Sequence, residues 1–304
     1  MDFGMKFHLT AVCLLLLTSA CSEQNKSDTP TAPPGTQLHT IEHNGITREY
    51  IAYIPDSYNA DTPVPLLFNF HGYGGNASEF MAYADLRPQA EAHQFILVYP
   101  QGTLLAGTSH WNAALPGNDN KSSADDFGFI DALRTHLASQ YQIDLNRVYA
   151  MGFSNGGMFS YALACYHSAN IAAVAAVAAT MLATDCSYTH PMGIISLHGS
   201  DDTVIPYQGN HDYLAVTQVL EYWINANGTE TAPNTRLATD NGTEITHLTY
   251  PNGMGHVSVE HYRVDGGGHS WFNFDFQGQS ANQLLWQALA QYDIHGQRQT
   301  NLSH

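Results

Sequence analysis

The fold is decided by the stretch Arg147-Val148-Tyr149-Ala150-Met151-Gly152-Phe153-Ser154-Asn155-Gly156-Gly157-Met158. Its first half is a β-branched and aromatic run that predicts a strand, and its second half is compatible with a helix. Between them lies Gly-x-Ser-x-Gly, the pattern of a sharp strand-to-helix turn that exposes a nucleophilic serine. Gly152 and Gly156 lack Cβ atoms where the chain turns most tightly, so Ser154 can adopt a strained conformation with its hydroxyl outward.

The Gly-x-Ser-x-Gly pattern by itself is weak evidence for a nucleophilic serine, because it occurs by chance in roughly one chain in ten of this length. A serine hydroxyl also needs a base to take its proton and an acid that holds the base in one tautomer. In this fold class the chain order is Ser, then Asp or Glu, then His. After Ser154 come Asp201 and Asp202 at the end of a predicted strand, and then His269 in a glycine-rich loop. The required order is therefore present.

Each of these residues also has a structural alternative. Aspartates are common in turns, and His269 is one of 17 histidines. His256 and His261 are rivals for the role of base, but they lie in or before a predicted strand, where a histidine is more often structural. The glycine run around His269 favours this residue.

An oxyanion hole requires two backbone N–H groups. One is expected from Asn155, directly after the serine, and the other from the loop that follows an earlier strand. His71-Gly72-Tyr73-Gly74-Gly75 is that loop, and the Tyr73 N–H is the expected donor. The alternative is that these glycines only make a turn.

The first residues predict an export signal. Lys6 precedes an apolar run over residues 11–17, and Thr18-Ser19-Ala20-Cys21 then resembles a bacterial lipoprotein cleavage site with Cys21 lipidated. An ordinary cleaved signal peptide is the alternative, and Met5 is an alternative start. The apolar run is too short for a transmembrane helix. We expect a protein anchored through Cys21 on the periplasmic side or at the cell surface, or otherwise secreted.

The chain divides into three predicted segments. Residues 1–21 form the signal, residues 22–37 a flexible tether rich in Ser, Thr and Pro, and residues 38–304 a single domain. Apolar runs such as 95–100 alternate with helical patterns, which predicts an α/β domain with a mostly parallel sheet and helices on both faces. The polar stretch 102–124 is predicted to be a long loop.

Composition and cysteine content narrow the functional classes. The formal net charge is −17 with only 10 Lys and Arg residues, which argues against nucleic-acid binding. Beyond the signal and Cys21, the domain contains only Cys165 and Cys186. This pair indicates one disulfide in an oxidising compartment, with two buried free thiols as the alternative. We expect a monomer that needs no metal or organic cofactor.

Eight segments match a known family: His71–Gly75, Tyr99–Gly102, Asp125–Ile130, Ile143–Tyr149, Gly152–Met158, His198–Asp202, Val204–Tyr207 and Gly267–Trp271. Together they resemble the exported polyhydroxybutyrate-depolymerase and feruloyl-esterase family of α/β-hydrolases, and the resemblance extends from about Thr47 onward. It implies the α/β-hydrolase fold and a triad of Ser154, His269 and Asp202, because the family pattern His-Gly-Thr-x-Asp falls on Asp202 rather than Asp201. It also supports a Cys165–Cys186 disulfide.

Two departures from the family pattern concern the substrate. Phe272-Asn273 follow His-x-Trp where the family often has Pro-Gly, and no cysteine lies near Trp111. Trp111, Tyr207 and Trp271 are candidates to stack on an aromatic or sugar group, with plain packing as the alternative.

The resemblance and the residue order together predict an exported serine esterase that forms an acyl-enzyme. Its substrates would be hydroxyalkanoate polyesters or oligomers, or feruloyl or acetyl esters of polysaccharide. An α/β-hydrolase peptidase and a non-catalytic surface binding protein on the same fold are the alternatives.

Substitutions at the predicted triad test this assignment. Ser154→Ala is expected to abolish turnover and leave the fold intact. Asp202→Asn is expected to lower kcat by up to roughly 10⁴, because the histidine loses its correct tautomer, whereas Asp201→Asn changes kcat little. Steady-state kinetics on p-nitrophenyl acetate, with circular dichroism of each variant, measure both effects. The opposite ranking of the two aspartates would identify Asp201 as the acid.

Overall fold

A ten-stranded sheet forms the centre of the computed structural model, which describes Met1, residues 37–116 and residues 120–299. The predicted signal and the lipidation site Cys21 lie outside the described residues, as does nearly all of the predicted tether. Within the described part of the chain, no helix is long and apolar enough to cross a membrane.

The elements alternate between strands and helices along the chain. The strands are β1 (Leu38–His43), β2 (Ile46–Tyr53), β3 (Val64–Phe70), β4 (Ile96–Pro100), β5 (Thr103–Leu105), β6 (Thr108–His110), β7 (Ile143–Phe153), β8 (Ala173–Val177), β9 (Gly193–Gly199), β10 (Asn234–Asp240), β11 (Thr243–Tyr250), β12 (Val259–Val264), β13 (Asp275–Phe276), β14 (Gln279–Ser280), β15 (Tyr292–Asp293) and β16 (Gly296–Gln297). The helices are α1 (Ala77–Tyr83), α2 (Arg87–His93), α3 (Asp126–Gln140), α4 (Asn155–Tyr166), α5 (Val216–Asn227) and α6 (Ala281–Ala290). Two short 3₁₀ turns cover Ser168–Asn170 and Met254–His256.

The large sheet is parallel at its centre and antiparallel at both edges. Its strand order is β1-β2-β4-β3-β7-β8-β9-β12-β11-β10. Every neighbouring pair from β4 to β12 is parallel, whereas β1, β2, β10 and β11 pair antiparallel. Strands β3, β4, β8 and β9 are buried at every residue, because helices cover both faces of a parallel sheet. The predicted mostly parallel sheet is confirmed.

Two hydrophobic cores flank the sheet. Successive residues of a strand point to opposite faces, so Leu66 of β3 belongs to one core and Leu67 to the other. Helices α3, α4 and α5 cover the first core, with Phe159 of α4 fully buried there. Helices α1, α2 and α6 cover the second core, in which Trp286 of α6 stacks on Phe95 at 3.7 Å between ring centroids.

The structure contains elements that the sequence patterns do not predict. Edge strands β1 and β10 are largely exposed and carry no apolar run, so their place in the sheet depends on their antiparallel partners. The predicted loop 102–124 contains the hairpin β5–β6. The helical stretch before β4 is divided into α1 and α2, because Pro88 is favoured in the first turn of a new helix and cannot continue an earlier one.

The predicted disulfide is present between Cys165 and Cys186. It connects the last turn of α4 to the segment before β9, and the Ser187 N–H donates to the Cys165 carbonyl at 3.0 Å. The alternative of two free thiols is therefore excluded in this structure.

A buried ion pair holds the long segment 102–125 against the sheet. Arg48 and Asp126 are only 3% and 1% exposed, and the Arg48 guanidinium donates to Asp126 Oδ1 at 2.8 Å. Asp126 Oδ2 accepts from the Asn112 N–H at 2.8 Å, and the Asn112 amide donates to the Ala124 carbonyl at 2.7 Å. Burial raises the pKa of Asp126 and lowers the pKa of Arg48, although each partner opposes the shift. The charged form of each residue in this buried site is therefore stabilised by the charge of its partner.

Breaking this pair is expected to cost much more stability than breaking an exposed one. Arg48→Met leaves the Asp126 carboxylate buried without its cation, which typically costs about 3–5 kcal/mol. The matched control is Arg87→Met, because Arg87 pairs with Asp85 at 2.8 Å in a partly exposed position. This control should cost about 1 kcal/mol or less. Urea unfolding measures both, and equal losses would contradict the prediction.

Candidate active site

Ser154 lies at the tight turn between β7 and α4. Its backbone has φ 54° and ψ −120°, a conformation that a residue with a side chain rarely adopts. A Cβ atom on Gly152 would overlap the carbonyl group of Gly156, and a Cβ atom on Gly156 would overlap the carbonyl of Phe70. Both positions therefore require glycine, as the sequence pattern predicts. The turn holds the Ser154 side chain beside the ends of β3 and β7.

Three of the predicted residues come together at this turn. His269 Nε2 lies 3.0 Å from Ser154 Oγ, and His269 Nδ1 lies 2.8 Å from Asp202 Oδ2. A carboxylate only accepts hydrogen bonds, so Nδ1 carries the proton and Nε2 is free to accept the serine O–H. Asp201 is exposed instead, and its Oδ1 accepts from the Ser200 hydroxyl at 3.0 Å.

Asp202 is a buried carboxylate with an unusual number of donors. Its Oδ1 accepts from the backbone N–H groups of Val204 at 2.8 Å and Ile205 at 2.9 Å. Its Oδ2 faces His269 and also lies 3.2 Å from His198 Nε2. Burial alone raises the pKa of Asp202, but the hydrogen bonds from the two histidines and the two amides outweigh burial and lower the pKa to about 2. The group is therefore an anion throughout the neutral range.

The rival histidines have other partners. His261 is buried in β12, where Nδ1 contacts Ser196 Oγ at 3.1 Å and Nε2 contacts the Tyr207 hydroxyl at 2.9 Å. Burial lowers the pKa of His261 to about 3, so this histidine is neutral. His256 lies in the 3₁₀ turn before β12, and it is His269 rather than either rival that contacts Ser154.

The loop after β3 presents the Tyr73 N–H near Ser154. The carbonyl of Gly72 accepts from His71 Nδ1 at 2.7 Å and from the Gly75 N–H at 3.0 Å. In a planar trans peptide the carbonyl and the next N–H point in opposite directions, so these two bonds also orient the Tyr73 N–H. No acceptor for this N–H occurs within the part of the chain described. A Cβ on Gly72 would lie 3.3 Å from the Ser154 Cβ, so this loop and the serine are in close contact.

Asn155 is the first residue of α4, and the N–H groups of a first helical turn have no partner within the helix. Its N–H and that of Tyr73 are thus two donors that lie close to the serine. The Asn155 side chain has a separate role, because Oδ1 accepts from the Trp111 N–H at 2.7 Å and Nδ2 donates to the Trp111 carbonyl at 3.0 Å. This pair of bonds attaches the long segment 102–125 to the serine turn.

The expected substrate-stacking role of Trp111 is wrong, because this side chain is only 1% exposed. Its ring stacks on Phe159 at 5.3 Å, and its indole N–H donates to the His71 carbonyl at 3.0 Å. Trp271 is 7% exposed and donates to Asn282 at 2.9 Å. The hydroxyl of the half-buried Tyr207 is bonded to His261. All three residues therefore direct their polar atoms to the protein.

Aromatic residues that the sequence patterns do not single out border the serine instead. Tyr73, Phe80, Tyr83 and Phe153 line a mostly apolar cavity of about 180 Å³. Tyr73 and Tyr83 are 54% and 51% exposed, and the Phe153 ring lies 4.8 Å from the His269 ring. Phe153 stands inside the Gly-x-Ser-x-Gly pattern, so its place next to the serine was predictable. Nothing in the local sequence brings Tyr83 to the same place.

A second cavity, of about 640 Å³, shares Gly75 and Asn76 with the first. Its lining includes hydroxyl groups of several Ser and Thr residues and the backbone of four glycines, beside apolar surface. Its one cation, Arg48, is already paired with Asp126, and its one anion is Glu49. This lining suits a neutral, hydroxyl-rich ligand better than an anion.

The sheet, the serine turn and the Ser–His–Asp arrangement define the class of protein as an α/β-hydrolase. Comparison with known proteins agrees with this class. The prolyl oligopeptidase family model matches residues 93–222. An acetyl xylan esterase from Aspergillus awamori superposes with a TM-score of 0.57 at 16% identity over 77% of this chain and 94% of that one, which supports the fold alone.

Two curated relatives are feruloyl esterases by name. "Probable feruloyl esterase C" of Aspergillus niger is 28% identical over 223 residues, which cover 72% of this chain and 76% of that protein. Feruloyl esterase C of Emericella nidulans is 31% identical over 185 residues, which cover 58% of this chain and 64% of that protein. The fold and these relatives support an esterase of the α/β-hydrolase fold, which is a carboxylic ester hydrolase.

The buried His71 should make the stability of the fold sensitive to acid. Burial lowers the pKa of His71 from 6.5 to about 4, and Nε2 accepts from the Gly102 N–H at 3.0 Å. The folded state therefore resists protonation that the unfolded state accepts. The stability contributed by neutral His71 is complete above pH 6.5 and is lost as the pH falls towards 4, with a slope of up to about 1.4 kcal/mol per pH unit.

His71→Phe should remove this slope and loosen the Tyr73 N–H, lowering kcat by as much as the roughly 10²–10³ of a lost oxyanion donor. Urea unfolding at several pH values and ester hydrolysis at pH 7.5 measure the two effects. His136→Asn in α3 is the control and should alter neither. An unchanged pH slope in His71→Phe would show that His71 is not the group responsible.

Proposed function

We propose that this protein is an exported serine esterase in which Ser154, His269 and Asp202 act as the catalytic triad. The observation that carries the proposal is the continuous chain from Ser154 Oγ to His269 Nε2 at 3.0 Å and from His269 Nδ1 to Asp202 Oδ2 at 2.8 Å. These separations are those required for proton transfer from the nucleophile to the base.

The reaction has two halves. In the first, Ser154 Oγ attacks the ester carbonyl while its proton passes to His269 Nε2, and the Asp202 carboxylate stabilises the imidazolium. The N–H groups of Tyr73 and Asn155 bind the oxyanion of the tetrahedral intermediate. His269 then donates the proton to the leaving alcohol, which leaves an acyl group on Ser154. In the second half, His269 activates water, and hydrolysis of the acyl-enzyme restores the serine.

The cavity lined by aromatic residues favours an aromatic acyl group. Its walls include the rings of Tyr73, Phe80, Tyr83 and Phe153. Phe153 directly precedes Ser154, and its ring lies 4.8 Å from the His269 ring. Aromatic rings pack edge-to-face or offset against one another and contribute about 0.5–1.5 kcal/mol beyond simple burial. A volume of about 180 Å³ is much larger than an acetyl group needs. This fits a feruloyl ester better than an acetyl ester, and the names of the curated relatives agree.

The hydroxyl groups of the second cavity favour a hydroxyl-rich alcohol. This cavity lies across Gly75 from the aromatic cavity and offers neutral hydrogen-bonding groups to a ligand. A saccharide satisfies such groups, whereas a hydroxyalkanoate polyester presents only ester oxygens and apolar carbons. We therefore propose feruloyl esters of polysaccharide as the substrates, with hydroxyalkanoate esters as the second choice.

A peptidase is the second candidate function. It is supported by the match of residues 93–222 to the prolyl oligopeptidase family model. The same nucleophile and base would cleave an amide, although protonation of a leaving amine is then required. A non-catalytic binding protein is less consistent with a serine and histidine that are already within hydrogen-bonding distance.

Export is supported by the Cys165–Cys186 disulfide, because disulfides persist in oxidising compartments. Lipidation of Cys21 stays a prediction from the sequence. Mass spectrometry of the membrane fraction would test it, and recovery of an unmodified protein from the medium would contradict it.

A substrate panel tests the proposed function. It comprises p-nitrophenyl acetate, p-nitrophenyl butyrate, methyl ferulate, a 3-hydroxybutyrate trimer and a chromogenic peptide, each assayed with wild type and Ser154→Ala. We expect methyl ferulate to give the highest kcat/KM and Ser154→Ala to abolish turnover. Preference for the trimer would support the polyester alternative. Turnover of the peptide alone would support the peptidase, and inactivity on the whole panel would support the binding protein.

Tyr83→Ala tests the aromatic cavity. Loss of one aromatic wall should lower kcat/KM for methyl ferulate by roughly tenfold, since about 1.4 kcal/mol corresponds to a factor of ten. The loss on p-nitrophenyl acetate should be clearly smaller, because an acetyl group does not reach the ring. Equal losses on both esters would show that Tyr83 acts through the fold.

A further inference from the structure

A second histidine lies against the same oxygen of Asp202 that His269 contacts. His198 is the penultimate residue of the buried strand β9 and is 0% exposed. Its Nε2 lies 2.8 Å from the Ile205 carbonyl oxygen and 3.2 Å from Asp202 Oδ2. The reaction described above makes no use of this residue.

The surroundings of His198 determine its protonation. Nε2 faces two oxygen atoms that can only accept, so Nε2 must carry a proton. Nδ1 is buried and has no hydrogen-bond partner among the residues described, so a proton there would be an unsatisfied donor. His198 therefore carries a proton on Nε2, and this N–H is directed at Ile205 and Asp202.

The His198 N–H completes a short cycle of hydrogen bonds around the Asp202 carboxylate. Its nearer acceptor is the carbonyl of Ile205, whose own N–H donates to Asp202 Oδ1 at 2.9 Å. The neighbouring Val204 N–H donates to the same Oδ1 at 2.8 Å. The Ile205 end of the segment 202–205 is thus bonded to β9 through its carbonyl and to the Asp202 carboxylate through its N–H. The positive end of the His198 N–H dipole also lies next to Oδ2.

The unpaired Nδ1 indicates that His198 does more than fill space. A buried polar atom without a partner costs stability, and such atoms are uncommon in folded proteins. A phenylalanine would fill a similar volume at this position without an unsatisfied atom. What the histidine adds over phenylalanine is the Nε2–H group beside Asp202.

We propose that His198 is a positioning residue of the esterase reaction, whose Nε2–H holds Asp202 and its loop in the orientation in which Oδ2 accepts from His269. The proposal rests on the catalytic triad proposed above. Without this N–H, the two remaining donors other than His269 are both on Oδ1, so the position of Oδ2 is held less firmly. His269 then loses its fixed direction towards Ser154 Oγ.

Loss of the donor should also change the pH profile in a defined direction. With one donor fewer, the Asp202 carboxylate attracts the His269 proton more strongly, so the acid limb of kcat/KM moves to higher pH. The titratable groups that face His198 are Asp202, Tyr207 and His261. Burial lowers the pKa of His261 to about 3 and raises that of Tyr207, and the pKa of Asp202 is about 2. These three groups therefore do not titrate in the acid limb of a profile that is measured from pH 5 upward.

The test compares four substitutions in the full-length protein with p-nitrophenyl acetate. His198→Phe keeps the ring and removes the donor. His198→Gln can place an amide N–H near the position of Nε2, whereas His198→Asn is one methylene too short to do so. His261→Phe is the matched control, because His261 is equally buried on the adjacent strand and contacts Ser196 and Tyr207.

We expect His198→Phe and His198→Asn to lower kcat by roughly 10- to 100-fold, as small misplacements of reacting groups do. KM should stay within about twofold, because the buried ring of His198 lines neither cavity. The acid limb should move to higher pH in both variants. His198→Gln should recover most of kcat and the original acid limb, and His261→Phe should keep both.

Two results would overturn the proposal. One is wild-type kcat in His198→Phe or His198→Asn. The other is an equal loss in Gln and Asn variants with an unmoved acid limb, which would show a purely structural role. If His198→Phe does not fold, the comparison between Gln and Asn decides. Failure of the triad itself is recognised separately, since wild type would then be inactive or Ser154→Ala would retain activity.

Discussion

The site depends on one steric constraint, the close approach of three backbone segments at the serine turn. At Gly152 and Gly156 the chain of β7 and α4 comes so near to itself and to the end of β3 that no side chain fits. This approach places the first turn of α4 beside the loop after β3. The N–H groups of Asn155 and Tyr73 then lie near the same serine. Packing of backbone on backbone brings the two segments together, and the His71 side chain then orients the Tyr73 N–H.

Buried polar groups attach the neighbouring loops to this turn. Asn155 holds Trp111 through two hydrogen bonds, and the indole of Trp111 donates to the His71 carbonyl. His71 in turn accepts from the Gly102 N–H. The polar segment 102–125 is thus connected at several points to the loop that carries the Tyr73 N–H. A long loop without these bonds would leave its backbone groups unpaired in the interior, which is costly.

Much of the fold and of the site was predictable because the signals are local. The buried parallel strands β3, β4, β8 and β9 are continuous apolar runs, and Gly-x-Ser-x-Gly marks its own turn. The edge strands β1 and β10 were not predictable, since an exposed strand needs only a partner and leaves no apolar pattern. For Trp111, by contrast, the sequence predicted a role that the structure does not support. An aromatic residue in a polar loop suggested a binding surface, yet its burial depends on Phe70 and Phe159 from distant elements.

The sequence by itself determined the nucleophile turn, the order of serine, acid and base, the parallel sheet and the cysteine pair, because each follows from residues that are close in the chain or from their order along it. Only the tertiary structure shows that Asp202 contacts His269, whereas Asp201 contacts Ser200. Only the tertiary structure brings Tyr83, Phe80 and Phe153 around one cavity. It also placed His198 beside the carboxylate. These contacts join elements far apart in sequence, and their distances depend on how the strands and helices pack, which no local pattern encodes.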